Sequence, residues 1–322
     1  MRPDFPIHII LAYPLKSIRM EKSMRKYMKV GIILHMAFNG LATGEGPILE
    51  CLKKIVIDDY FEAVEVTQIK DDNVRKEVRD MIQCSHMTVA YGGQPRMLTT
   101  GMNINDLNEE KRLAAVDSLK KGIDEAYELS AAGFSFLAGQ YEEDTKEDSF
   151  KALLKSTREL CEYSKSKGNM PITLEVFDYD IDKKSLIGPV NLAKEYAEKI
   201  TSEYDNFGLM VDLSHIPMIH ESIEESILPI RKYIKHAHMG NTVIKSSEMP
   251  GYGDQHPRFG FPNSENDVKE LADYLRLLLK IGFLNEENRP IVSFEVKPYG
   301  NEDSEIVIAN AKRTLNLAWE LV

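Results

Sequence analysis

ITLEVFD (172–178), GLMVDLSH (208–215), KHAHMGN (235–241) and IVSFEVKP (291–298) decide how this chain folds. Each is a short, mostly apolar run bounded by polar residues, the pattern of a strand buried on both faces. Each also carries a side chain foreign to an apolar core: Glu175, Asp212, His238 and Glu295. A carboxylate inside such a strand is costly unless it is paired or bound to a metal. Taken singly, each residue has an ordinary reading as a helix cap or a salt-bridge partner. Four of them at the ends of successive runs do not.

Four similar runs lie upstream: VGIILHMAF (30–38), FEAVEVTQI (61–69), MTVAYGG (87–93) and GFSFLAGQ (133–140). Amphipathic stretches alternate with the runs, near 46–57, 72–84, 106–131, 147–168, 189–203, 221–234, 264–282 and 303–321. Within them apolar residues recur at three- and four-residue steps, as a helix with one buried face requires. Asn263 and Ser264 with Asp267 resemble a helix start, and Gly282 a helix stop. Eightfold strand–helix alternation predicts an α/β protein, a single (β/α)8 TIM barrel. A doubly wound open sheet gives the same alternation, but no GxGxxG follows the first strand. No linker rich in Pro, Gly or Ser divides the 322 residues, so one domain is expected. Residues 1–29 form an N-terminal extension, expected to cap the barrel bottom or reach a neighbouring subunit, and 30–322 the barrel.

With 40 basic and 51 acidic residues the net charge is −11, a field that repels nucleic acid and anionic membrane. Cys51, Cys84 and Cys161 lack metal-type spacing and read as free buried thiols of a reducing compartment. The apolar stretch IHIILAY (7–13) is far shorter than the ~18–20 residues of a membrane span. Its flanks lack a signal-peptide layout, so a cytoplasmic location is expected.

A barrel gathers its strand ends around one point. Three carboxylates and an imidazole there make an oxygen-rich site, favouring Mn²⁺, with Mg²⁺, Co²⁺ or Zn²⁺ as alternatives. Residues two apart on a strand share a face, so Lys297 is expected just above Glu295, and His236 on the same face as His238. The long stretch 241–264 follows the seventh strand, and a loop of that length in a compact domain is usually functional.

The strand-end residues resemble the xylose-isomerase-like barrels, which include sugar isomerases, epimerases and endonuclease IV. In that family a Glu after strand five, an Asp with a His three later, a His after strand seven and a Glu on strand eight hold the metal. Those positions correspond to Glu175, Asp212 with His215, His238 and Glu295. Asp254-Gln-His256 has the Asp-x-His form of the DNA-repair branch. The histidines that branch needs after strands three and four are absent, where this chain has Ala90-Tyr91 and Ala138-Gly139-Gln140.

VDLSHIP (211–217), HAHMGN (236–241), GYGDQHPRFGFPNSENDV (251–268) and RPIVSFEVKP (289–298) resemble the catalytic α subunits of bacterial C-glycoside deglycosidases. That resemblance implies β-elimination of the sugar–aglycone bond of a 3-oxo-C-glycoside and a small β-sandwich partner subunit in a hetero-oligomer. A ketose 3-epimerase or an aldose–ketose isomerase is the alternative, and a non-enzymatic sugar-binding barrel a further one. Both leading readings begin with proton abstraction next to a sugar carbonyl. His215 and His256 are the candidates for proton transfer. Asp254 would orient His256, and Lys297 would bond the developing enolate oxygen. Substrate contacts are assigned to Arg258, Gln140, Tyr91 and His236. Arg258 reads equally as a loop pin, Tyr91 as barrel packing and His236 as a core histidine. His35 is a weaker candidate at the first strand end.

Overall fold

The computed structural model describes residues 23–322. Eight parallel strands form one sheet in the order β1-β8-β7-β6-β5-β4-β3-β2. They are β1 Lys29–Ile32, β2 Ala63–Val66, β3 Thr88–Gly92, β4 Phe134–Leu137, β5 Ile172–Glu175, β6 Phe207–Asp212, β7 Ile234–Gly240 and β8 Ile291–Glu295. The seam between β1 and β2 is closed by Glu62 N–H donating to the Val30 carbonyl at 2.9 Å and by an Ile33–Glu65 bridge. The result is a single (β/α)8 TIM barrel.

The principal helices among the described residues are α1 Ile48–Val56, α2 Asp72–Ser85, α3 Glu109–Glu128, α4 Lys146–Lys167, α5 Val190–Thr201, α6 Ile223–Ile227, α7 Val268–Lys280 and α8 Ser304–Leu321. Several start on side-chain caps: Asp71 for α2, Asn108 for α3 and Asp303 for α8 accept from first-turn N–H groups. α7 starts at a capping box of Asp267 and Glu270, four residues later than the Asn263–Ser264 signal predicted. α6 is shorter than the predicted 221–234, because Pro229 lies in a 3-10 turn at Leu228–Ile230, where its missing N–H costs the helix nothing.

The two faces of the strands differ. Outward, Val30, Ile32, Val64, Phe134, Phe136, Leu174, Leu209 and Phe294 pack into the main apolar core with the helices. Inward most residues are small or polar, and Ala63, Ala90 and the bulkier Ile291 form a separate cluster. A Cβ on Gly31 would come within 2.4 Å of Ser293 Oγ and 3.3 Å of the Ala63 Cβ, so the first strand approaches its neighbours as only glycine permits. A cavity of about 790 Å³ opens at the strand C-termini, and another of about 650 Å³ at the opposite end. Glu65 borders both.

Cys51 and Cys161 are buried, but Cys84 is exposed on α2, a correction to the expectation of three buried thiols. Met28 is fully buried, so the chain is already packed just before β1. Residues 1–22, for which a capping or intersubunit role is expected, lie outside the described residues. Among the described residues no helix is long and apolar enough to cross a membrane.

Candidate metal and acid–base site

Glu175, Asp212 and Glu295 end β5, β6 and β8, and His238 lies two residues before the end of β7. All four are buried, and their ligand atoms lie within 4.8 Å of one another. His238 Nδ1 stands 2.7 Å from Glu295 Oε2 and 3.6 Å from Glu175 Oε1. Glu175 Oε1 and Asp212 Oδ2 are buried without a hydrogen-bond partner. Orphaned carboxylate oxygens of this kind are costly. A cation bound by oxygens at about 2.0–2.6 Å would remove that cost. The donor set therefore fits a divalent metal ion. Overlapping groupings, Asp212–His215–His256 and Glu65–His236–His238, satisfy the same distance criterion.

A second layer surrounds this set. Asp254 Oδ1 lies between two imidazoles, 2.6 Å from His256 Nε2 and 3.0 Å from His215 Nε2. Lys183 Nζ binds the other oxygen, Oδ2, at 2.8 Å. Burial would raise the Asp254 carboxyl, but His256 and Lys183 hold it well below the usual carboxylate range. His215 Nδ1 faces the Val176 carbonyl at 3.0 Å, so both its ring nitrogens meet acceptors. Burial would lower its pKa, but the bond to Asp254 and the charges of Asp212 and Glu175 raise it to about 10. His256 is likewise opposed by burial and raised, by Glu295 and Asp254, to about 9. Its Nδ1 has no hydrogen-bond partner and lies 3.8 Å from Asp212 Oδ2.

The loop after β7 is fastened at its ends and middle. Asn266 Nδ2–H donates to the Leu213 and Gly240 carbonyls, both at 3.1 Å, and Asn241 Nδ2–H to that of Arg258 at 2.8 Å. Asp254 N–H donates to Asp182 Oδ2 at 2.9 Å. His256 has φ +48°, a left-handed conformation uncommon for any residue but glycine. Its carbonyl accepts from Lys297 N–H at 2.7 Å, which ties the loop to the extension of β8.

Of the residues proposed from sequence, Glu175, His238, Glu295, Asp254, His256, Lys297 and Gln140 border the mouth cavity. Asp212 and His215 stand behind them, fully buried. The remaining substrate-contact expectations need correcting. Tyr91 points outward from β3. Its hydroxyl donates to Glu125 at 2.7 Å and accepts from Arg96 at 3.0 Å, and its ring stacks on Phe134. Arg258 is pinned to Glu302 at 2.9 Å and to the Phe259 and Gly260 carbonyls, outside the cavity lining. His236 shares the inward face with His238 but sits one pleat lower, bordering the opposite cavity. Gln140 reaches the mouth, with its side-chain amide donating to the Lys183 carbonyl at 3.1 Å.

Several site residues escape the sequence reading. Gln94 donates to Glu175 Oε2 at 2.7 Å and accepts from Ser135 Oγ at 3.1 Å. Lys183 belongs to a loop that Asp178 organises by accepting from the N–H groups of residues 181–184. No local pattern reveals either. Glu65, a carboxylate inside the apolar run FEAVEVTQI, carries the same signal as Glu295. His35, the weaker candidate that the sequence did offer, borders the mouth as well, and burial depresses its imidazolium to about pKa 4.

The cavity lining also includes the apolar Met36, Met97, Leu98, Met102, Ile104 and Leu137, with Asn103 and Asp106 among them. Leu98 and Met102 are exposed there.

Comparison with solved structures returns similar barrels. A D-psicose 3-epimerase from Clostridium cellulolyticum H10 superposes with a TM-score of 0.68 at 16% identity, covering 91% of this chain and 99% of that one. A 3-keto-D-glucoside 4-epimerase from E. coli gives 0.64 at 15% identity, with 90% and 98% covered. The IOLI protein with a bound zinc atom gives 0.68 at 16% identity, with 92% and 99% covered. At such identities the likeness concerns the fold. No curated protein matches the sequence. The family model described as the xylose isomerase-like TIM barrel matches residues 58–312, most of the chain. This chain belongs to the xylose isomerase-like TIM barrel family.

Proposed function

We propose that this chain is a divalent-metal-dependent enzyme that removes the proton beside the carbonyl of a keto-sugar and returns it, as an epimerase or isomerase. The observation carrying this reading is the buried quartet Glu175, Asp212, His238 and Glu295, with two orphaned carboxylate oxygens. The oxygen-rich set favours Mn²⁺, with Mg²⁺, Co²⁺ or Zn²⁺ as alternatives. When bound, such an ion polarises a carbonyl and stabilises the charge that develops as the proton leaves. The similar solved structures are named as ketose 3-epimerases and a keto-glucoside 4-epimerase, which supports a sugar as the substrate.

His256 is the better placed of the two imidazoles for proton transfer, because it borders the cavity and its Nδ1 is free of partners. His215, with acceptors at both ring nitrogens, holds Asp254 instead. Asp254 and Lys183 fix the orientation of His256. Lys297 is assigned to a substrate oxygen.

One observation favours a second outcome on the same site. The apolar side chains of Met36, Met97, Leu98 and Met102 in the cavity lining suit an aglycone better than a bare sugar. On a 3-oxo-C-glycoside, loss of the C2 proton would form a C1–C2 double bond as the C1–aglycone bond breaks. The aglycone carbon then takes a proton. The β-sandwich partner belongs to this reading.

The test is incubation with Mn²⁺ in deuterium oxide, with free ketoses and separately with a 3-oxo-C-glucoside. The first reading expects a new ketose or aldose labelled beside the carbonyl, abolished by chelator. The second expects free aglycone. Neither exchange nor product from any substrate, with or without a co-expressed partner, would reject both.

A further inference from the structure

Glu65 is a buried carboxylate on β2, inside the barrel, with no part in the chemistry above. Its Oε1 stands 3.2 Å from His238 Nε2 and 2.7 Å from His236 Nε2. The other nitrogen of His238, Nδ1, is the one turned toward Glu295 and Glu175. An imidazole presents a lone pair from one nitrogen only when the other carries the hydrogen, and the partner of that hydrogen decides which is which. A carboxylate accepting from a ligating histidine fixes its ring, fixes its tautomer and strengthens its donor nitrogen. Glu65 stands where such a group must stand, on the far side of His238 from the other three ligands.

His236 extends the arrangement. It lies at the lower end of the lumen, bordering the cavity at the strand N-termini and not the one at the mouth. The column Glu295–His238–Glu65–His236 therefore runs along the barrel axis from one cavity to the other. The small residues Gly31, Ala63, Ala90 and Ser293 on the neighbouring strands leave room for it.

We infer that Glu65 is a positioning residue that fixes His238 for metal binding, and that His236 holds Glu65 from below, so that metal affinity at the mouth is set partly from the opposite end of the barrel. The inference rests on the metal reading above. A purely structural role, in which two imidazoles merely satisfy a buried carboxylate, would affect folding but not the affinity of the folded protein.

The experiment strips the full-length protein of metal and titrates it with Mn²⁺, followed by the electron paramagnetic resonance of the free ion. Circular dichroism checks the fold, and Co²⁺ absorption reports the ligand field. Glu65→Gln is expected to weaken Mn²⁺ binding by roughly 10–100-fold and to shift the Co²⁺ spectrum. His236→Leu should lose affinity in the same direction by less, whereas His236→Gln, whose amide still donates, should stay near wild type. Folded Glu65→Gln and His236→Leu with wild-type affinity and an unaltered Co²⁺ spectrum would overturn the inference alone. If Glu65→Gln does not fold, His236→Leu decides. If the wild type binds Mn²⁺ no more tightly than Glu175→Gln, the metal reading fails and takes this inference with it.

Discussion

The outward and inward faces of the same eight strands obey different rules. Outward, bulky residues such as Phe134, Phe136 and Phe294 interlock with the helices and exclude water. Inward, where barrels of this architecture usually stack branched side chains, Ile291 is accompanied mostly by glycine, alanine, serine and a column of carboxylates and imidazoles. The stability of this barrel therefore comes mainly from the layer between sheet and helices. Its lumen is released to hold charge.

The comparison can be broken at either face. The largest effect is expected outside: Phe294→Ala should cost about 3–5 kcal/mol of unfolding free energy, read as a lowered denaturant midpoint. Phe294 is fully buried, edge-on to Phe61 and Phe259. Metal bound per folded molecule should not change; an unaltered midpoint would mean that the outer layer does not carry the stability.

Inside, Glu175→Gln should leave the fold intact by circular dichroism while bound metal falls and ketose turnover drops about 10²–10³-fold, the scale of losing a group that stabilises developing charge. Retained metal and turnover would remove this quartet from the chemistry. One shell further out, Lys183→Met deletes the 2.8 Å contact to Asp254. Turnover should then fall roughly tenfold, equivalent to ~1.4 kcal/mol, with metal content preserved. Loss of metal instead would make the Asp254 layer part of the binding set.

Tyr91→Phe sharpens the boundary between the faces and should have the smallest effect. It removes hydrogen bonds to Glu125 and Arg96. The expected cost is about 1 kcal/mol of stability, with turnover unchanged. A large change in KM would return Tyr91 to the substrate and contradict its outward orientation.

Strand positions were legible because charged residues stand out in apolar runs, and Glu175, Asp212, His238 and Glu295 converge as the alternation requires. Height along the barrel axis was not legible. Alternation assigns His236 and His238 to one face but does not reveal that one pleat puts them at different cavities. Position at a strand end was no guide at Tyr91, where neighbouring Ala90 points inward and the tyrosine outward. The Arg258–Glu302 and Lys183–Asp254 pairs join residues far apart in the chain, and no local pattern encodes them.

Cys84 also has a practical consequence. It is the exposed cysteine of the three, on the outer helix α2, while Cys51 and Cys161 are shielded. A thiol-reactive dye or spin label should therefore attach at one address, on the side of the molecule that takes no part in the lumen. The protein thus comes with a native handle for spectroscopy, and introduced cysteines at the mouth can be read against it without first removing the buried two.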